Sequence, residues 1–161
     1  IGADPAAITA VLKSARQETS RPLIVKLPAM VASISDLALA AEEGGADAVC
    51  VSNSIPVLAL DRPSRKPSLG NRVGGLTGPA IRPIVSRLVW QAAATVRIPV
   101  IACGGITTAD DVLDYMSLGA AAVQIGTATF ARPHAMVQIA RELARRSRVP
   151  SDDLLLARSA S

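Results

Sequence analysis

Apolar positions along this chain alternate between short continuous runs and longer stripes at helical spacing. Asp4-Pro5 has the form of a helix start, a capping carboxylate followed by a proline in the first turn, and Ile8, Val11, Leu12 and Ala15 then share one face. The spacing predicts a helix over 5–19, closed by Arg21-Pro22. Leu23 to Leu27 reads as a strand whose apolar run is broken only by Lys26. Ile34, Leu37, Ala38 and Ala41 predict a helix from Ser33 to Glu43, which Gly44-Gly45 stops, and Asp47 to Ser52 is the next strand. Further on, Ile81, Ile84, Val85, Leu88, Val89 and Ala92 form the stripe of a helix from about Pro79 to Thr95, with Pro83 tolerated in its first turn. Ile98 to Cys103 is a strand, and Thr108 with Asp111 opens a helix that ends at Gly119. Ala121 to Ile125 is a last strand, Pro133 to Arg146 a closing helix, and Ser151-Asp152-Asp153 starts a short final one.

Residues 53–78 break this pattern, with prolines at 56, 63 and 67, glycines at 70, 74, 75 and 78, and basic residues at 62, 65, 66 and 72. A stretch of this length without helical or strand period is expected to be irregular, a lid or a disordered segment.

Four strands, each followed by a helix, imply a parallel sheet with right-handed crossovers. The segment from Pro22 to Val49 resembles the segment from Pro99 to Val123, an offset of about 75 residues that fits a duplicated pair of βα units. An open doubly wound sheet would give the same alternation. A (β/α)8 barrel is favoured because residues with chemistry sit at the C-terminal end of every strand: Lys26, Ser52-Asn53, Gly104-Gly105 and Gly126-Thr127. A whole barrel takes roughly 250 residues, and the chain has 161. The expected fold is therefore α/β, the C-terminal half of a TIM barrel, with residues 1–161 forming a single partial domain and the N-terminal half lying outside it. Strands 23–27 and 121–125 would then have unpaired edges, so the isolated piece is expected to dimerise or aggregate.

Composition narrows the function classes. Half of the residues are hydrophobic, enough for a core, yet no apolar run approaches the roughly 18 residues of a membrane span, and no signal-peptide pattern is present. A soluble cytoplasmic protein is expected. Cys50 and Cys103 both lie inside apolar strands, which favours buried thiols over a disulfide or metal site. His134 has no cysteine or carboxylate at ligand spacing, so no metal is expected there. The net charge is +4, with a local cluster at Arg141, Arg145, Arg146 and Arg148, but aromatic residues make up only 2%, too few for nucleic-acid stacking platforms. Anionic small ligands fit the charge better.

The apolar runs ending at Gly104-Gly105 and Gly126-Thr127 are two consecutive strand-to-helix glycine turns. Backbone N–H groups can approach an anion at such a turn, and two neighbouring ones suggest a single phosphate site. Lys26 would bring its ammonium into the barrel mouth as a Schiff-base lysine or as a permanent cation beside a ring that gains negative charge, or would reach solvent as a plain strand-end lysine. Asn53 and Ser54 offer amide and hydroxyl groups suited to a planar polar ligand, or to a turn that closes the strand. Thr107 and Thr108 read as helix caps. Gly74-Gly75-Leu76-Thr77-Gly78-Pro79 is a further glycine-rich helix entry.

Lys26-Leu27, Gly45-Ala46-Asp47, Ser52-Asn53-Ser54, Arg65-Lys66-Pro67, the run from Gly74 to Pro83, Gly104-Gly105-Ile106 and Gly126-Thr127-Ala128 stand in one order. In that order the chain resembles the class 1 dihydroorotate dehydrogenases, most closely the class 1B catalytic subunit, over nearly its whole length. Gly-Gly-Leu-Thr-Gly-Pro-Ala-Ile-Arg-Pro is the specific element; the glycine turns alone occur in many phosphate-binding barrels. The resemblance implies an FMN enzyme that oxidises dihydroorotate to orotate in pyrimidine biosynthesis. It implies Lys26 near the flavin N1/O2 edge, Ser52 contacting FMN through its backbone, Gly78 approaching the ring, and Gly104, Gly105, Gly126 and Thr127 holding the phosphate. Asn53 and Ser54 would hydrogen-bond the orotate ring. It also implies a homodimer and, for class 1B, a partner subunit carrying FAD and an iron-sulfur cluster that passes electrons to NAD. The family's catalytic base is a cysteine upstream of the segment corresponding to Ile1, which neither Cys50 nor Cys103 matches, so no catalytic residue is expected in this chain and the fragment alone is expected to be inactive. Where the family has a hydroxyl residue, proline and asparagine after Lys-Leu, this chain has Pro28-Ala29-Met30. Two other readings are a flavin barrel acting on another pyrimidine, resembling dihydropyrimidine dehydrogenase, and a non-catalytic half-barrel used for binding or assembly.

Overall fold

A computed structural model describes residues 2–147. The short helix expected from Ser151 lies outside the described residues. The elements follow in the order α1 (Pro5–Glu18), β1 (Ile24–Leu27), α2 (Ile34–Glu43), β2 (Ala48–Val51), β3 (Ile55–Leu58), β4 (Val73–Leu76), a 3₁₀ turn (Pro79–Ile81), α3 (Arg82–Ala93), β5 (Val100–Cys103), α4 (Ala109–Ser117), β6 (Ala122–Gln124), α5 (Ala128–Ala131) and α6 (Ala135–Arg146).

The helix starts follow from their caps. Asp4 accepts from Ala6 N at 3.0 Å and Ser33 from Asp36 N at 3.2 Å. At α4, Thr108 and Asp111 form a complete capping box, each side chain satisfying the other's backbone N–H.

Strands β1, β2, β5 and β6 form one parallel sheet in that spatial order. The order never reverses. A doubly wound sheet reverses at its switch point and so places helices on both faces, whereas same-handed crossovers between strands added successively on one side put every helix on one face. The result is an open segment of a (β/α)8 barrel, as the strand-end chemistry suggested. Its core lies between sheet and helices, where Val49, Val51, Val100 and Ala102 meet Leu37, Ala41, Val85, Val89 and Tyr115, all buried. The inner strand β2 is buried at all four positions, while Ile24 of β1 and Ala122 of β6 are exposed at the sheet's two edges.

The sequence reading is corrected at four places. Residues 53–78 are not irregular throughout: β3 and β4 pair antiparallel from Ile55↔Leu76 to Leu58↔Val73, with a further bridge between Leu60 and Pro67. Strand β2 is thus followed by a hairpin before its helix arrives. Pro56 and Gly74-Gly75 leave these short strands without alternation, so the ladder is carried by backbone pairing that composition cannot signal. The helix expected from Pro79 begins as a 3₁₀ turn, because Gly78 enters it at φ +82°, and becomes α-helical only at Arg82. A short helix α5 follows β6, and the closing helix starts at Ala135, past Pro133-His134. Within that helix, Arg145 and Arg146 pair with Glu142, and Arg146 also with Asp110, so these members of the basic cluster form surface ion pairs.

Candidate functional site

Each strand of the parallel sheet contributes one side chain to a common layer near its C-terminal end. Alternation places Lys26, Cys50, Cys103 and Gln124 on the face opposite the buried valines. There they meet: Lys26 Nζ donates to Cys103 Sγ at 3.1 Å, to Gln124 Oε1 at 3.2 Å and to Cys50 Sγ at 3.4 Å, and Cys50 Sγ donates to Gln124 Oε1 at 3.3 Å. Burial pulls the Lys26 ammonium down, but the two sulfurs outweigh it and the group is held above its ordinary value. The hydrogen bond from Cys50 and the nearby ammonium outweigh burial at Cys103 and bring its thiol down to about 6. Cys50 moves upward, because its one proton is shared between the Cys103 sulfur and Gln124 Oε1 and the site is buried. The expectation of two buried thiols is therefore met by Cys50 and corrected for Cys103. As the last residue of β5, Cys103 reaches the mouth of the sheet and is only partly covered.

Above this layer lies a cavity of about 430 Å³, within the range of small-molecule and cofactor sites. Lys26, Ser52, Asn53 and Ser54 line it from the ends of β1 and β2, and Gly78 from the return of the hairpin. Gly104, Gly105, Gly126 and Thr127 line it from the turns after β5 and β6. Every site residue expected from the sequence thus borders one space. Four further lining residues with polar or sulfur groups were not singled out as ligand-facing: Cys103, Gln124, Thr77 and Thr107. The first two sit inside strands; Gln124 is marked by its polarity within an apolar run, and Cys103 only by its shared parity with Lys26.

The turns are built for close approach. Gly105 has φ +73°, and a Cβ there would stand 2.8 Å from Arg82 Cβ and 3.0 Å from the Gly78 carbonyl oxygen. A Cβ on Gly126 would meet nothing within 4 Å. The N–H groups of Gly104, Gly105, Gly126 and Thr127 take no part in the backbone hydrogen bonds of turns and caps among the described residues. Four free donors bordering one cavity suit a multiply charged anion such as a phosphate.

Groups behind the turns hold them in place. Tyr115, 1% exposed, donates its hydroxyl to the Gly104 carbonyl at 2.7 Å, and burial pushes its own pKa up to about 12. Asp111, 3% exposed, accepts from Thr107 N at 2.8 Å, Thr107 Oγ1 at 2.9 Å and Thr108 N at 2.9 Å, and it is paired with Arg82. Thr108 is a helix cap as expected; Thr107 is tied to the same carboxylate and also borders the cavity. At the other wall, the buried Ser52 donates its N–H to the Cys103 carbonyl at 3.1 Å and so locks the end of β2 to β5.

A sheet of this order, with its polar groups gathered at the C-terminal strand ends, defines a segment of a (β/α)8 barrel whose functional face is the one described above. The family model for dihydroorotate dehydrogenase matches residues 1–146, and the chain belongs to that family. It is 49% identical over 142 residues to a protein of Solibacter usitatus that is a dihydroorotate dehydrogenase A (fumarate) by name, covering 88% of this chain and 47% of that one. It is 45% identical to the catalytic subunit of a dihydroorotate dehydrogenase B (NAD(+)) from Pelobacter propionicus and 46% identical to that from Geobacter sulfurreducens, each over 89% of this chain and 47% of the relative. The likeness to class 1B catalytic subunits read from the motifs is borne out. The chain spans about half the length of the curated relatives it matches. A crystal structure of DHODH from Eimeria tenella in complex with ferulenol shares the fold, with a TM-score of 0.71 at 23% identity, over 87% of this chain and 44% of that one.

Proposed function

We propose that this chain is the cofactor-seating part of a class 1B dihydroorotate dehydrogenase, which oxidises dihydroorotate to orotate with FMN. One observation supports it above the rest: Lys26, Asn53, Gly78 and both glycine turns border a single cavity, as a ligand with a phosphate at one end and a polar ring at the other requires. Bound FMN supplies a hydride acceptor. The chain's own residues bind and orient. Gly104, Gly105, Gly126 and Thr127 would hold the phosphate through their free N–H groups, with glycine at 105 because a side chain would strike Arg82 and Gly78. Gly78 would let the ring approach the backbone, and Ser52, locked to Cys103, would present its backbone to the ring.

Lys26 keeps its proton beside two sulfurs, and its fixed positive charge would favour the electron-rich form of the ring. Asn53 and Ser54, both exposed to the cavity, would hydrogen-bond the substrate. Pro28, Ala29 and Met30 carry no hydroxyl or amide side chain, so this part of the loop after β1 offers none in place of the family's polar residues. We assign the proton-accepting base to a part of the family's barrel outside residues 1–161, and read those residues as one partial domain. The active protein would be a cytoplasmic homodimer working with an FAD and iron-sulfur subunit. Among the described residues, no helix is long and apolar enough to cross a membrane.

The test is flavin released from the purified full-length protein. FMN that is bleached by dihydroorotate but not by dihydrouracil is the expected result. Bleaching by dihydrouracil alone would move the assignment to another pyrimidine. Absence of FMN, with no binding on adding it back, would leave a half-barrel used for assembly.

A further inference from the structure

We propose that Gly75 is a positioning residue for the substrate: the bare backbone of the returning hairpin strand is the surface on which Ser54 rests, and it sets where the Ser54 hydroxyl meets the cavity. The role rests on the reading of Ser54 as a substrate contact. Ser54 stands at the outgoing root of the β3–β4 hairpin and borders the cavity. Since Pro56 pairs with Gly75, Ser54 lies two positions from that partner and on the same face of the ladder. Such diagonal neighbours across an antiparallel pair are within reach of each other. Here they are closer than two side chains could be. A Cβ on Gly75 would overlap Ser54 Oγ and stand 2.7 Å from Ser54 Cβ. Rotation about χ1 carries Oγ away but leaves Cβ where it is, so a side chain at 75 has to push the two backbones apart. Gly75 is inside the ladder and Ser54 just outside it, so the serine is the one that yields.

The backbone itself does not ask for glycine at 75, because its φ is not left-handed. What excludes a side chain there is the serine. Gly74 gives the contrast. It pairs with Val57 on the other face, and a Cβ there would meet only Leu69, at the Cδ1 end of a flexible side chain whose Cγ is 3.9 Å away. Gly75 does not border the cavity, so whatever its substitution does to a ligand passes through a neighbour. Both partners of the contact belong to one hairpin and its root, within residues 54–75.

The experiment uses the full-length protein with FMN bound, as Gly75→Ala, Gly74→Ala, Ser54→Gly and the double variant Ser54→Gly/Gly75→Ala. Orotate is titrated by the change in flavin absorbance, and FMN by fluorescence on the flavin-free form. Gly75→Ala should weaken orotate about three- to tenfold, the worth of one net hydrogen bond, while FMN affinity changes by less than about twofold. Gly74→Ala should leave both unchanged. Ser54→Gly should weaken orotate by a similar factor, and Gly75→Ala added to it should cost nothing further, because both atoms that the new Cβ meets are gone. Undiminished orotate affinity in Gly75→Ala, an equal loss in Gly74→Ala, or the same Gly75→Ala effect with and without Ser54 would each overturn the positioning role alone. Full orotate affinity in Ser54→Gly would remove the substrate contact and the role with it. No orotate binding by the unaltered protein would refute the dihydroorotate reading and the role together. If Gly75→Ala does not fold, the double variant decides: recovery of its fold and of the Ser54→Gly affinity upholds the contact, and no recovery overturns it.

Discussion

Adding one methyl group at each of two turns separates folding from ligand seating. Gly105→Ala forces alanine to φ +73° and puts its Cβ 2.8 Å from Arg82 Cβ and 3.0 Å from a carbonyl oxygen of the main chain. The left-handed backbone costs about 1–2 kcal/mol, and intrusion into packed atoms about 1–3 kcal/mol more, giving about 2–5 kcal/mol in all. Gly126→Ala carries neither penalty: its Cβ meets nothing within 4 Å and its backbone is not left-handed. Its effect on folding should stay within about 0.5 kcal/mol. Because Gly126 borders the cavity where the phosphate is assigned, the added methyl should weaken FMN by about tenfold, or about 1.4 kcal/mol. Urea unfolding of the flavin-free full-length variants reads the first quantity, with a midpoint drop of about 1–3 M expected for a 3 kcal/mol loss in Gly105→Ala. Flavin fluorescence titration reads the second. Equal unfolding midpoints for the two variants would refute the steric account of Gly105. Undiminished FMN affinity in Gly126→Ala would refute the placement of the phosphate.

Tyr115→Phe keeps the packing but deletes the 2.7 Å bond to the Gly104 carbonyl, and should cost about 1–2 kcal/mol in denaturant unfolding with a few-fold loss of FMN affinity. Asp111→Asn leaves Arg82 without its anion and removes one of the carboxylate's acceptors; since Arg82 is 40% exposed at its side chain, the loss should be about 1–3 kcal/mol, below that of a fully buried pair. Asp47 is held below its ordinary value by the N–H of Leu23 and then by Arg16, so its contribution is complete above about pH 4 and fades as pH falls through the depressed folded value. Asp47→Asn should therefore flatten the acid limb of the stability curve, and an unchanged limb in a pH series of thermal melts would contradict that pairing.

Most of the fold was legible because its signals are local. Asp4, Ser33 and Thr108 cap helices wherever they are followed by an apolar stripe, and a parallel strand buried on both faces, such as β2, announces itself as an unbroken run. The hairpin was hidden because its information is not local. Val57 faces Gly74 only after 16 intervening residues return the chain, and neither Pro56 nor Gly75 prefers a strand. The same division holds at the site. Lys26, Asn53 and the glycine turns interrupt apolar runs, so each is visible where it stands. Cys103 interrupts nothing, Gln124 breaks its apolar run without showing what it meets, and the meeting of both with Lys26 depends on the β1–β2–β5–β6 order, which fixes which strands are neighbours and which parities coincide.

The β3–β4 hairpin leaves after Asn53 and Ser54 and rejoins at Thr77 and Gly78, all four of which border the cavity, while β2 pairs directly with β5 as though nothing stood between them. Glu42 strengthens that independence by joining the end of α2 to the backbone of Arg97 and Ile98, at 2.9 and 3.1 Å. The excursion is therefore free to lengthen, shorten or change its basic tip without disturbing barrel register, provided its two roots are kept. The hairpin is thus an attachment with fixed roots and an independent body, and the surface it presents is decoupled from the folding of the parallel sheet.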